Sequence, residues 1–237
     1  MLLQDKVAVV YGAGGAVGAA VARAFEADGA KVFSPTHAEV DTLDESAIER
    51  YLESVGRVDI SFDAIGLPNA EMLGTPLLDI DAERFAKPIA AYTTSYFLTA
   101  RAAARRMIPE KSGVIMTVSA LPARTGTPLN GGYGPAQAAK EAMTRDLSHE
   151  FAPHGLRVVC LRPHGLPESQ TIRDIYELKV ASAMTWEQFQ AGLAATMHSR
   201  RTQTLAEVGD AAVLAASDRS GGLTGTTVNL TLGATAD

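Results

Sequence analysis

Short apolar runs alternate with longer stretches of helical spacing along the whole chain. Val7-Ala8-Val9-Val10-Tyr11 is a strand-like run that stops at a glycine cluster, and residues 16–28 follow as an alanine-rich helix ended by Gly29. Residues 31–34 read as a second strand, 44–55 as a polar amphipathic helix capped by Asp44 or Thr42, and 58–64 as a strand ending at Ile65-Gly66. A loop with Pro68, Gly74 and Pro76 leads to a long helix over about 81–108, in which Pro88 predicts either a kink or the true start. Further on, the pattern gives a strand at 113–119, a loop at 121–132, a helix at 133–152 and a strand at 156–161. A loop-and-helix insertion at about 163–201, a helix near 205–217 and a last strand at 225–232 complete the chain. Strands alternating with helices predict an α/β fold: a doubly wound, three-layer parallel sheet of the Rossmann-like kind, in one domain over 1–237.

One interval breaks the rhythm. Only Pro35-Thr36-His37-Ala38 separates the second strand from a short Glu39-Val40-Asp41, whereas parallel neighbours need a crossover of about a dozen residues or more. Either the third strand is missing or it folds back as an edge hairpin, and the sheet margin beside the second strand should be bare.

Composition narrows the class. With 237 residues and 46% hydrophobic content, the chain can bury one sizeable core. A formal charge of −6, with no run of Lys or Arg, argues against a nucleic-acid surface. Cys160 is the single cysteine, which excludes an intramolecular disulfide framework and fits a reducing cytoplasm. No apolar run reaches membrane-spanning length, and the opening Met1-Leu2-Leu3-Gln4-Asp5-Lys6 is too short for a signal sequence. The expectation is a soluble cytoplasmic protein whose partner is a small molecule, not nucleic acid or a membrane. His37, His149, His154 and His198 lack metal-ligand spacing, so no metal is expected.

The candidate chemistry starts at the first turn. Gly12-Ala13-Gly14-Gly15-Ala16-Val17-Gly18 joins strand to helix. Such a turn presents backbone N–H groups and the positive end of a helix dipole to a phosphate or pyrophosphate; a purely structural glycine turn is the alternative.

With these segments in place, the chain resembles the short-chain dehydrogenase/reductase family over nearly its whole length. The resemblance rests on Gly12…Gly18, Asp41, Val58-Asp59-Ile60, Gly113-Val114-Ile115, Tyr133 at a helix start, Arg157-Val158-Val159…Arg162-Pro163, and Leu223-Thr224-Gly225. It implies NAD or NADP held by Gly12, Gly14, Gly15, Val17 and Gly18, with Ser34, Asp41, Ala64, Gly66 and Pro163 completing the cofactor site. It also implies hydride transfer between the nicotinamide and an alcohol or ketone, and a homo-oligomer, dimer or tetramer, built through the helices at 81–108 and from Tyr133. The family works with a Tyr as acid/base, a Lys four residues on, a Ser after the fifth strand and an Asn in the long helix.

Residue by residue, much of that set is altered. Tyr133 matches the tyrosine, but Gln137 stands at the lysine, supplying an amide and no positive charge. Lys140 is seven residues from Tyr133, about 10 Å along the helix axis, and is a poor substitute. Ala120 holds the serine position with Ser119 beside it, and Tyr92 holds the asparagine position. Asp63-Ala64-Ile65-Gly66 replaces the usual Asn-Asn-Ala-Gly, and Ala16 replaces the middle glycine of the turn. Ser34-Pro35-Thr36-His37 occupies the place where an acid selects NAD and a base selects NADP, and favours neither. His164, on the loop expected to cover the nicotinamide, and Tyr92 are candidate replacement acid/base groups, each against a plain packing role. The segment with Trp186 and Phe189 reads as a substrate lid. Three functions stay open: a divergent oxidoreductase, a non-redox enzyme performing elimination or cyclisation, and a catalytically inactive binding or assembly subunit.

Overall fold

The computed structural model describes residues 1–236. Six parallel strands form one sheet: β1 (Val7–Tyr11), β2 (Lys31–Phe33), β3 (Ile60–Asp63), β4 (Gly113–Val118), β5 (Leu156–Pro163) and β6 (Thr226–Leu230), in the order β2-β1-β3-β4-β5-β6. The helices are α1 (Ala16–Ala27), α2 (Glu45–Val55), α3 (Asn69–Met72), α4 (Ala82–Met107), α5 (Tyr133–Phe151), α6 (Gln170–Lys179), α7 (Trp186–Thr196) and α8 (Leu205–Ala216).

Strand alternation divides the core between the two faces of the sheet. Ala8 and Val10 of β1, Ile60 and Phe62 of β3, and Val159 and Leu161 of β5 pack with Val21 and Phe25 of α1 and with Ala212 and Val213 of α8. The intervening Val9, Tyr11, Ile115 and Val158 face Ile48 and Leu52 of α2, Tyr96 and Ala103 of α4, and Leu147 of α5. Three layers result.

The irregular interval resolves as a missing strand. Residues 34–44 form turns, with the amides of Glu39 and Val40 both donating to the Thr36 carbonyl, and β2 is left as the sheet edge. No hairpin strand covers it among the described residues. The helix that follows is nonetheless well anchored: Asp44 caps it by accepting from the Ser46 amide at 2.9 Å, and Glu45 and Glu49 meet Arg101 and Arg105 of α4. The long helix starts at Ala82, ahead of Pro88, with Asp81 accepting the Arg84 amide at 2.7 Å. Pro88 therefore lies inside the helix and does not mark its start; its buried ring packs where Gly132 approaches α4.

Two buried ion pairs fix α5 over the centre of the sheet. Lys140 reaches Asp63 at the end of β3, Nζ to Oδ1 3.6 Å, and each side chain is only 1% exposed. The other carboxylate oxygen of Asp63 accepts from Ser95 at 2.7 Å and Thr99 at 3.3 Å on α4. Glu141, the next residue, accepts from Arg162 of β5 at 2.7 and 2.8 Å and from the Ser119 hydroxyl, just beyond β4, at 2.8 Å. Because β4 lies between β3 and β5, the two neighbouring residues of α5 straddle it. A buried charge deprived of its partner is far costlier than the intact pair is stabilising. Lys140→Met should therefore destabilise the fold by about 3–5 kcal/mol, and adding Asp63→Asn should recover much of that loss. Urea unfolding of the two variants checks this, and additive losses would contradict it.

Candidate active site

The glycine turn lies at the point where the chain reverses its direction across the sheet, between β1 and β3, the position at which open α/β sheets receive ligands. Gly12 has φ +78°, and a Cβ there would come within 2.4 Å of the Ala64 carbonyl oxygen. A Cβ on Gly18 would come equally close to the Gly12 carbonyl, so both glycines are required for the β1, β3 and α1 backbones to meet. Gly14 and Gly66 are different: a Cβ at either would face open space, with no atom within 4 Å. Gly15 caps α1 in extended conformation with no side chain occupying the helix end, so the first amides of α1, including that of Val17, have no side-chain cap. The half-buried Ala16 is accommodated as the first residue of the helix.

Around the rim, Ser34 and Asp41 are exposed. One oxygen of Asp41 accepts the Leu43 amide at 2.9 Å, and Glu39 accepts both the amide and the hydroxyl of Thr36, which lowers its pKa. Pro163 is buried at the end of β5.

Tyr133 opens α5, so topology brings it to the same end of the sheet as the glycine turn. Its ring meets that of Tyr92 edge-on, with centroids 6.2 Å apart, in an apolar cluster with Met72, Leu73, Ala136 and Ile175. Burial, and secondarily the neighbouring Tyr92, raises the Tyr133 pKa above the ordinary phenol value. Gln137, one turn along α5, is 4% exposed, and its Oε1 is buried without a hydrogen-bond partner.

The other candidates have partners elsewhere. The Ser119 hydroxyl points to Glu141, with its alternative contact at the Leu161 carbonyl, and Ala120 follows in extended conformation. The Tyr92 hydroxyl accepts the Leu67 amide at 3.1 Å and lies 3.8 Å from the Met72 sulfur, so it holds the loop after β3. Lys140 sits beneath Tyr92 and Tyr96, its ammonium 5.6 and 6.0 Å from their ring centroids, bound to Asp63. His164 is half-buried, and burial draws its pKa down to about 4, so the imidazole is neutral at neutral pH. The structure thus brings together Tyr133 and Tyr92, sets Gln137 one turn further along α5, and turns the Ser119 hydroxyl to Glu141, one turn beyond that. The Glu141–Arg162 pair escaped the sequence reading; the available signal was an arginine inside an otherwise apolar strand, which demands an acid nearby.

The residues present fit a dinucleotide. Gly14 and Gly66 leave open space beside the turn, α1 presents uncapped amides, and the orphaned Gln137 Oε1 lacks a donor of the kind a ribose hydroxyl provides.

These features define a Rossmann-like α/β protein. A family model described as "Enoyl-(Acyl carrier protein) reductase" matches residues 35–235, and the chain belongs to the short-chain dehydrogenase/reductase family. It is 27% identical over 244 residues to short chain aldehyde dehydrogenase 1 of Euphorbia lathyris, covering 92% of this chain and 84% of that one. Secoisolariciresinol dehydrogenase of Forsythia intermedia is 28% identical over 190 residues, covering 70% and 67% respectively. The fold matches a crystal structure of NAD+-bound xylitol dehydrogenase with a TM-score of 0.88 at 21% identity, over 98% of this chain and all of that one.

Two glycine variants separate folding from binding. Gly14→Val should leave thermal stability nearly unchanged, since its Cβ meets nothing, while reducing NADH and NADPH affinity at least about tenfold through steric exclusion. Gly12→Ala should lower the melting temperature through its clash and strained φ. Calorimetry and fluorescence titration check both; full cofactor affinity in Gly14→Val would contradict the assignment of the cradle.

Proposed function

We propose that this protein is an NAD(P)-dependent oxidoreductase that reduces a ketone on a small molecule, with Tyr133 as the proton donor. The observation that carries the reading is the open, fold-compatible cradle at Gly14 and Gly66, at the same end of the sheet as Tyr133 and the unpaired Gln137 oxygen. The names of the relatives, both dehydrogenases, agree with it. A bound dinucleotide supplies the hydride. The chain's own residues supply the rest: the α1 amides and the glycine turn take the pyrophosphate, Gln137 accepts from a ribose hydroxyl, and Tyr133 donates its phenolic proton to the carbonyl oxygen. A homo-oligomer formed through the outer faces of α4 and α5, and a cytoplasmic setting, belong to the same reading.

Gln137 and Tyr133 set the character of the reaction. With no cation at 137 and Lys140 held by Asp63, nothing in this reading offsets the burial that raises the Tyr133 pKa. The phenol then remains protonated at working pH, which suits proton donation to a carbonyl and disfavours proton abstraction from an alcohol. A second reading, cofactor binding without redox turnover, draws support from the prior engagement of Ser119, Tyr92 and Lys140.

The pH dependence distinguishes them. Reduction kcat/KM should be flat over about pH 6–9, while alcohol oxidation keeps rising across that range with no plateau, because tyrosinate never accumulates. Tyr133→Phe should abolish both. Saturable cofactor binding with no reduction of any ketone would favour the second reading, and absence of NADH and NADPH binding would sink both. In the double variant Ala120→Ser with Gln137→Lys, the restored cation should raise the reduction rate and give oxidation a plateau within the measured range.

A further inference from the structure

A dinucleotide bound at the glycine turn has two arms, and the order of the strands gives each a direction. The nicotinamide arm must run toward Tyr133, which opens α5, the helix held over β3 and β5 by its buried ion pairs. β2 lies on the opposite side of β1, so the adenosine arm runs over the end of β2. The exposed Ser34 at that end carries neither an acid nor a base.

The chain beyond Ser34 supplies what that position lacks. Phe33 of β2 pairs with Val9 of β1, and no turn intervenes before His37. The same register carried three residues on sets Thr36 level with Gly12, one strand spacing of about 5 Å away. A turn then brings Glu39 back onto Thr36. Its Oε2 accepts the Thr36 amide at 2.8 Å and the Thr36 hydroxyl at 2.9 Å. Both bonds fall on one oxygen, and among the described residues the other oxygen of this exposed side chain accepts none. The two bonds lower the Glu39 pKa, so the anchored carboxylate is ionised at neutral pH. Burial, and then the Glu39 charge, raises the pKa of Tyr51 on α2; burial, then Asp63 and Tyr51, raises that of Tyr11, the residue before Gly12. The anchored anion and the start of the glycine turn share one neighbourhood.

The other charges nearby are committed. Asp41 turns one oxygen to the Leu43 amide, Asp44 caps α2, and Glu45 meets Arg101 and Arg105. No lysine or arginine stands between residues 32 and 44, and Lys31, at the far end of β2, lies with its ammonium 4.8 Å from the Phe33 ring centroid. A 2′-phosphate brought to this edge meets an ionised carboxylate and no base. An unmodified ribose brings hydroxyl donors that the open oxygen of Glu39 can accept.

We propose that Glu39 is the specificity-determining residue of the cofactor site: held by Thr36, its carboxylate accepts from the ribose of the adenosine arm and repels a 2′-phosphate, so that this chain takes NADH in preference to NADPH. The inference rests on the oxidoreductase reading for the direction of the two arms.

Binding tests it without turnover. Fluorescence titration should give the wild-type protein an affinity for NADH at least about tenfold above that for NADPH. Glu39→Gln should shrink the ratio to about threefold or less, mainly by strengthening NADPH binding, and Glu39→Arg should invert it. Loss of a merely structural contact would weaken both cofactors alike and leave the ratio unchanged. Because Glu39 is exposed, both variants should melt close to wild type. Equal affinities or an NADPH preference in the wild type, or an NADH preference that survives undiminished in both folded variants, would overturn the proposal while leaving the oxidoreductase reading in place. Absence of saturable binding of either cofactor would overturn both. An NADH preference that follows residue 39, with no ketone reduced, would uphold the role of Glu39 and reject the oxidoreductase reading.

Discussion

The buried pair between Lys140 and Asp63 is the constraint on which the active-site end of this molecule depends. It joins α5 to β3, and through Ser95 and Thr99 it draws α4 into the same contact. With Glu141 bound to Arg162 on β5 and to Ser119 beyond β4, α5 is held across three adjacent strands by two consecutive side chains. An apolar interface tolerates sliding by a turn; paired buried charges do not, since any other register leaves a charge without its partner. The position of Tyr133 at the start of α5 follows from this clamp and from the close approach of Gly132 to the Phe85 carbonyl of α4.

The same pair bears on the chemistry. In the family pattern a lysine four residues beyond the tyrosine faces the cofactor. Here the lysine stands three residues later and faces the interior, with an acid at the end of β3 to receive it, and the uncharged amide of Gln137 stands at the family's lysine position. In the proposed reaction the proton donor is therefore the half-buried Tyr133, packed on a second tyrosine, and burial raises its pKa. The glycine turn proposed to cradle the dinucleotide does not depend on this exchange, because its parts belong to β1, α1 and the end of β3.

The fold was largely legible in the sequence because parallel strands buried on both faces leave apolar runs, and each helix announces its ends. Asp44, one of two candidate caps, and Gly29 as a stop fell where their helices begin and end. The irregular sheet edge was legible as well, since four residues cannot make a crossover, but the sequence left a missing strand and an edge hairpin both open. Of the two readings of Pro88, the helix start is overturned, because α4 begins at Ala82 under the Asp81 cap and the proline lies inside it. The site was less legible. Glycines and Tyr133 could be placed by spacing, but the partners of Ser119, Lys140 and Arg162 are 22, 77 and 21 residues away in sequence, as the numbers of Glu141 and Asp63 give directly. Periodicity carries no information about which buried charge meets which.

The most direct test follows the protein's nitrogen-bearing groups by NMR during titration with NADH. The cradle and the inward lysine make opposite demands on one experiment. The backbone amides of Gly14, Gly15 and Ala16 should shift saturably, while the side-chain ammonium of Lys140 stays unmoved and protected from exchange by Asp63. An ammonium signal that shifts in step with those amides, or amides that never respond, would contradict the account.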